Sequence, residues 1–98
     1  MIQLRFTREA LADIDRFTDF LAETDAEAAA DAVEGILSAV EALRRHPYLG
    51  RPIEHGLREL IISRGRTGYV ALYKFYPTRN EVLVARLRHQ LEAGYTAE

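Results

Sequence analysis

Tyr69-Val70-Ala71-Leu72-Tyr73-Lys74-Phe75-Tyr76 and Glu81-Val82-Leu83-Val84-Ala85-Arg86-Leu87-Arg88-His89 are two apolar-rich runs joined by only four residues, Pro77-Thr78-Arg79-Asn80. Both are rich in the β-branched and aromatic residues that favour strands. So short a connection makes the two strands antiparallel neighbours. Upstream, Leu57 to Ser63 reads as a third strand, linked through a Gly65/Gly68 turn. A meander of three strands is therefore predicted for the second half. In the last strand, simple alternation puts Leu83, Ala85 and Leu87 on the face toward any covering layer. Val82, Val84, Arg86 and Arg88 then fall on the opposite face.

The first half supplies that layer. Ile2-Gln3-Leu4-Arg5-Phe6 alternates apolar and polar like a half-buried strand. Thr7 is placed to N-cap a helix, with Phe6 and Leu11 at hydrophobic-staple spacing. Leu11, Ile14, Phe17 and Leu21 recur at helical spacing, so a helix is predicted from Arg8 to about Glu23. Thr24 and Glu27 stand at capping-box spacing for a second helix, whose stripe is Ala29, Val33, Ile36, Leu37, Val40 and Leu43. His46-Pro47 ends it, because proline disfavours helical geometry in the residue before it. With almost no loop between them, the helices form an antiparallel hairpin. Pro47 to Gly56 is expected to be loop. The order β-α-α-β-β-β gives an α+β fold: a helical hairpin on one face of a mainly antiparallel sheet, in one domain spanning residues 1–98.

There is no cysteine, which excludes a disulfide framework and a thiolate metal site. No apolar run approaches the ~20 residues that span a bilayer, and the N-terminus has no signal-peptide pattern. A cytoplasmic protein without membrane contact is expected. The net charge of −2 conceals a division. Residues 1–50 hold five arginines against ten acids, and residues 51–98 hold eight basic side chains against five acids. A generic nucleic-acid binder has a strongly basic domain, which this is not, so direct sequence-specific DNA binding is not expected. Asp13 and Asp15 lie two apart on a helix and do not face each other, and His46 and His55 lack partners at ligand spacing. No metal and no cofactor are expected.

The last strand runs into Gln90-Leu91-Glu92-Ala93-Gly94-Tyr95, so its end is dense in titratable and hydrogen-bonding groups. These residues, with the loop His46-Pro47-Tyr48-Leu49-Gly50-Arg51-Pro52, the following Leu57-Arg58-Glu59-Leu60 and the Gly68-Tyr69-Val70-Ala71-Leu72-Tyr73 strand, resemble the ParE/RelE superfamily. Those proteins are the toxin halves of type II toxin–antitoxin pairs, also described as plasmid stabilisation proteins. The resemblance covers nearly the whole chain and implies the RelE/ParE-like form of the fold above. Members with a similar terminus end in His-Gln-Arg-Glu-Ala-Gly-Tyr; Leu91 stands here in place of that arginine.

The resemblance implies one of two activities. RelE-like members resemble ribosome-dependent endoribonucleases that cut mRNA; ParE-like members lack the nuclease residues and are associated with inhibition of DNA gyrase. A nuclease is written with His89 or Glu59 as general base, Arg58 and Arg86 on the phosphate, and Tyr95 nearby. Against it stand a sequence pI of 5.9 and a first helix with no lysine that carries Asp13, Asp15, Asp19 and Glu23. Affinity for a polyanion grows with the number of phosphate contacts. The residues therefore favour a ParE-like, non-catalytic toxin, with Arg58, Arg86, Arg88, His89, Gln90 and Tyr95 as candidate target-binding residues. The implied partner is a ParD-like antitoxin whose flexible tail packs along the hairpin, on Leu11, Phe17, Leu21, Val33 and Leu37. His89 also has a plain reading as a capping or hydrogen-bonding residue, and Tyr69, Tyr73 and Tyr76 as cross-strand packing.

Overall fold

The structure is a computed structural model that describes residues 1–23, 25–62 and 68–89. Its elements run β1 (Gln3–Phe6), α1 (Arg8–Ala22), α2 (Ala26–Glu41), β2 (Arg51–Pro52), β3 (Arg58–Ile61), β4 (Tyr69–Tyr76) and β5 (Glu81–His89). The five strands form one mixed sheet in the order β1-β5-β4-β3-β2. β1 runs parallel to β5, and the other pairs are antiparallel. The two helices pack on one face, giving the α+β architecture expected. The predicted loop from Pro47 to Gly56 contains the two-residue strand β2 and a 3-10 turn at Glu54–Gly56.

α1 starts as the sequence predicts. Thr7 Oγ1 accepts the Ala10 N–H at 3.0 Å and donates to the Ala85 carbonyl at 2.7 Å, so one hydroxyl caps the helix and ties it to β5. The start of α2 differs. Its cap is Asp25, whose carboxylate accepts from the N–H groups of Glu27 and Ala28; Thr24, the predicted cap, lies outside the described residues. Asp25 is equally competent to satisfy the orphan donors of a first turn, so the spacing to Glu27 was not decisive.

The core is built from Ala10, Phe17, Ile36, Val40 and Leu43 of the helical layer against Leu60, Tyr69, Ala71, Tyr73, Val82, Val84 and Leu87 of the sheet. The β5 contribution corrects the predicted alternation. Val82, Val84 and Leu87 are fully buried, while Leu83 and Ala85 are only half-buried. The reason is a bulge: Leu72 pairs with Arg86 but its neighbour Tyr73 pairs with Val84, so Ala85 is the extra residue. One added residue reverses which parity faces the core. Val82 and Val84 point to the helices before it, Leu87 and His89 after it.

β1 pairs only with residues 81–84 of β5. Beyond Phe6 the chain turns into α1, which takes over the exposed edge of β5. The Val84 carbonyl accepts from Thr7 N–H at 3.0 Å, the Ala85 carbonyl from Thr7 Oγ1, and the Leu87 N–H donates to Asp13 at 2.8 Å. Edge groups that a longer β1 would have paired are thus satisfied by the helix.

Candidate functional site

The side chains proposed for chemistry lie on β3 and β5, on either side of β4. Arg58 is in register with Tyr73, and His89 with Tyr69. Four residues along β4 and two strand spacings across separate them by about 13 Å and about 10 Å respectively. Arg58 and Glu59, adjacent on β3, point to opposite faces. Glu59 and Arg86 both pair with Leu72, from opposite sides of β4, two strand spacings or about 10 Å apart. The candidate nuclease residues Arg58, Glu59, Arg86 and His89 are thus spread over both faces of the sheet and along it. Gln90 and Tyr95 lie outside the described residues, as does Leu91.

Arg86, Arg58, Glu59 and His89 each have an internal occupation. Arg86 was predicted to project from the open face of the sheet. Instead its guanidinium reaches Asp13 of α1 through Nε–Oδ2 at 2.8 Å and Nη2–Oδ1 at 3.1 Å. Asp13 is 1% exposed and also accepts from Arg16 Nη1 at 3.0 Å and from the Leu87 N–H. Burial alone pushes its carboxyl up. The hydrogen bonds from Arg86, Leu87 and Arg16 outweigh burial and hold it below the usual carboxylate value. The same hydrogen bonding to Asp13 raises the Arg86 guanidinium. Asp13 therefore satisfies an edge N–H of β5 and fixes Arg86 at once, a role its sequence position did not reveal.

Arg58 is committed to the loop before β2. Its Nη1 donates to the carbonyls of Gly50 at 2.6 Å and Tyr48 at 3.3 Å, and its guanidinium lies 4.8 Å from the Tyr48 ring centroid. Glu59 accepts from Arg51 Nε at 2.7 Å. His89 is 8% exposed and packs edge-on against Tyr69, with centroids 4.9 Å apart, and against Phe17 at 6.3 Å. Arg88 differs. It is half-buried opposite Val70, and its side chain makes no hydrogen bond or ion pair with another described residue.

Tyr73 was expected as cross-strand packing and does more. Its buried hydroxyl donates to the Pro47 carbonyl at 2.8 Å and accepts the Gly50 N–H at 2.8 Å. Burial pushes this phenol up, although the Gly50 contact and the nearby Arg58 act the other way. Gly50 is required here, since a Cβ would stand 2.7 Å from Tyr73 Cε1 and 2.9 Å from the Glu59 carbonyl. Tyr76 faces the other way and carries Arg79 at 4.1 Å and Lys74 at 5.5 Å from its ring centroid.

The residues proposed for the hairpin surface divide. Leu11 and Leu37 are 52% and 45% exposed, whereas Leu21 and Val33 are half-buried. Phe17 is 4% exposed and belongs to the core, because it lies on the helical stripe with Ala10 and Asp13 that meets β4 and β5. Phe20, which sequence reasoning passed over, is 66% exposed. A groove of about 410 Å³ is lined by residues that include Leu21, Ala28, Asp31, Ala32, Gly35, Ile62 and Tyr69. The small residues of α2 keep it open; a Cβ on Gly35 would touch nothing within 4 Å. Among the described residues no group of three metal-ligating side chains occurs, and no helix is long and apolar enough to cross a membrane.

The profile of the ParE toxin of the type II toxin–antitoxin system parDE matches residues 4–94. The chain belongs to the ParE toxin family. Among its relatives is Toxin RelE3 of Caulobacter vibrioides, 40% identical over 83 residues that cover 85% of this chain and 88% of the relative. The fold matches a solved chain of the chromosomal ParDE system of P. aeruginosa, with a TM-score of 0.76 and 29% identity over 91% of this chain and 96% of that one. It also matches a chain of the RelBE2 toxin–antitoxin complex of Mycobacterium tuberculosis, with a TM-score of 0.59 and 25% identity over 90% and 96% of the two chains. This ParE-family chain is thus a type II toxin–antitoxin toxin of the ParE/RelE superfamily, with relatives bearing both names.

Proposed function

We propose that this ParE-family toxin arrests growth without catalysis, by binding a protein target in the cytoplasm, and that the target is DNA gyrase. The observation that carries the reading is the dispersal of the nuclease candidates. Arg86 is bound to Asp13, Arg58 to the carbonyls of Tyr48 and Gly50, and His89 is packed between aromatic rings. General acid–base chemistry needs a titrating group within hydrogen-bond reach of the reacting proton and a cation on the same phosphate. Binding a protein surface needs neither. Arg88 remains a direct target contact in this reading, while Arg58 and Arg86 shape the surface from behind.

The second partner is a ParD-like antitoxin. Its tail folds along the hairpin, covering the exposed Leu11, Phe20 and Leu37 and entering the groove beside Gly35. The name of the Caulobacter relative keeps the ribosome-dependent mRNA nuclease as the competing activity.

A supercoiling assay with gyrase, run beside ribosome-dependent cleavage of mRNA, tests the choice. The expected result is inhibition of supercoiling that the adjacent small gene's product relieves, with mRNA left intact. Site-specific mRNA cuts on ribosomes without any effect on gyrase would overturn the proposal.

A further inference from the structure

The turn between α2 and β2, residues 45–50, presents two large apolar side chains to solvent. Tyr48 is 59% exposed and Leu49 is 56% exposed. Single exposed hydrophobes are ordinary, but this pair sits on a turn whose backbone is bonded from beneath at several points. Leu49 N–H donates to the His46 carbonyl at 3.0 Å. The buried Tyr73 hydroxyl bridges Pro47 and Gly50, and Arg58 bridges the carbonyls of Tyr48 and Gly50. The Tyr48 ring is clamped between the Arg58 guanidinium and the edge of Phe75, whose centroid is 5.2 Å away at an interplanar angle of 89°. A buried tyrosine and a half-buried arginine thus hold in place a turn whose own apolar groups face water.

A rigid aromatic–aliphatic pair beside arginines is the composition of a binding hot spot, and prior ordering removes much of the entropy lost on association. Charge says what binds. Glu41 is neutralised by Arg44 at 3.0 Å, and Glu59 by Arg51 at 2.7 Å. Arg45 and Arg58 pair with no carboxylate among the described residues. Arg45 and His46 line an open concavity of about 510 Å³ together with Pro47, Tyr48 and Leu49. The surface is therefore apolar at its centre and cationic at its rim.

We infer that the Tyr48–Leu49 turn is a preformed docking surface for an acidic face of the toxin's protein target. This rests on the reading of the chain as a binding toxin, and names the surface through which it binds. It lies at the C-terminal end of α2, away from the groove at Ala28 and Ala32 assigned to the antitoxin. Those residues are about 14–20 Å back along the helix.

Titrated expression of the wild-type chain and of Leu49→Glu, Leu49→Lys and Arg45→Glu tests this, with thermal melting of each purified protein. Both substitutions to glutamate are expected to raise the inducer level needed for growth arrest by about tenfold or more, as loss of a hot-spot contact would. Leu49→Lys is expected to stay closer to wild type, because an acidic partner tolerates a cation. All are expected to melt within a few degrees of wild type. Arrest by all three at the wild-type level, equal loss in Leu49→Lys and Leu49→Glu, or loss that merely follows a lowered melting point would overturn the inference. Failure of the wild-type chain to arrest growth would instead remove the toxin reading beneath it, and the inference with it.

Discussion

Asp13 shows how much one buried side chain can carry. It accepts from Arg86, Arg16 and the Leu87 N–H while almost wholly excluded from water. Asp13→Asn keeps the shape but turns one acceptor into a donor facing other donors. Hydrogen bonds to charged groups contribute about 1.5–3 kcal/mol each in net terms. A loss of roughly that size is expected in urea unfolding, together with a loosened β5 bulge visible as faster amide exchange at Leu87. The acid limb gives a second check. The folded carboxyl lies below its ordinary value, so the unfolded chain binds the proton first as pH falls. The stabilisation is complete above about pH 4, where the unfolded group ionises, and is lost as pH falls through the folded value. Urea midpoints of the wild type should therefore drop in that acid range, and those of Asp13→Asn should be flatter there. None of this was legible in the sequence, where Asp13 reads as one of four acids on α1. Two of its three partners, Arg86 and Leu87, are more than seventy residues away. Tyr73 is a similar case, since its strand position predicted burial but not that its hydroxyl would bridge Pro47 and Gly50. Tyr73→Phe leaves the buried Gly50 N–H without its acceptor and is expected to lower stability by about 1–3 kcal/mol.

The elements were legible where local chemistry is strong. The Thr7 cap, the ends of β4 and β5 and the helical hairpin follow from capping, turn residues and periodicity alone. The facing of β5 did not follow. Val82, Leu83, Val84 and Ala85 are apolar in succession, so the sequence holds no mark that the alternation shifts at Ala85. The shift is imposed by pairing with β4 and by α1 gripping the strand edge. The same limit applies to α2, where the stripe was evident but the open groove beside it was not, because absence of side chains at Ala28, Ala32 and Gly35 matters only once Ile62 and Tyr69 stand opposite. Gly35 makes this testable. Its position is exposed and a Cβ meets nothing, so Gly35→Leu gains helix propensity of roughly 0.5–1 kcal/mol. It should also fill the groove. A melting point equal to or above wild type is expected, with affinity for the antitoxin reduced about tenfold or more by calorimetry. Unchanged affinity would move the antitoxin tail off this groove.

At the scale of the whole molecule, the charge division seen in the sequence becomes a division of surfaces. The acidic first half supplies the helical layer, and most of the basic side chains fall on the sheet and its loops. What the sequence could not say is which arginines are available. Among the described residues, Arg58, Arg86, Arg51 and Arg44 are occupied internally, whereas the side chains of Arg45 and Arg88 carry no such bond. The proposed surfaces are correspondingly separate, with the groove along the first half of α2 and the Tyr48–Leu49 turn beyond its end. Gly35 and Glu41 alone are about 9 Å apart along the helix axis. Sites that far apart with no common partner usually act additively, within about 0.5 kcal/mol. The double variant Gly35→Leu with Leu49→Glu should therefore bind the antitoxin as weakly as Gly35→Leu alone, and arrest growth as poorly as Leu49→Glu alone. A toxin built with one shared surface would behave otherwise, because a substitution in the turn would then also lower antitoxin affinity. Calorimetry on the four proteins of the cycle distinguishes the two. A loss of antitoxin affinity above about 1 kcal/mol in Leu49→Glu alone, beyond the roughly 0.5 kcal/mol of an uninvolved surface substitution, would mean that antitoxin and target compete directly for the turn, and that neutralisation is occlusion of the Tyr48–Leu49 surface itself.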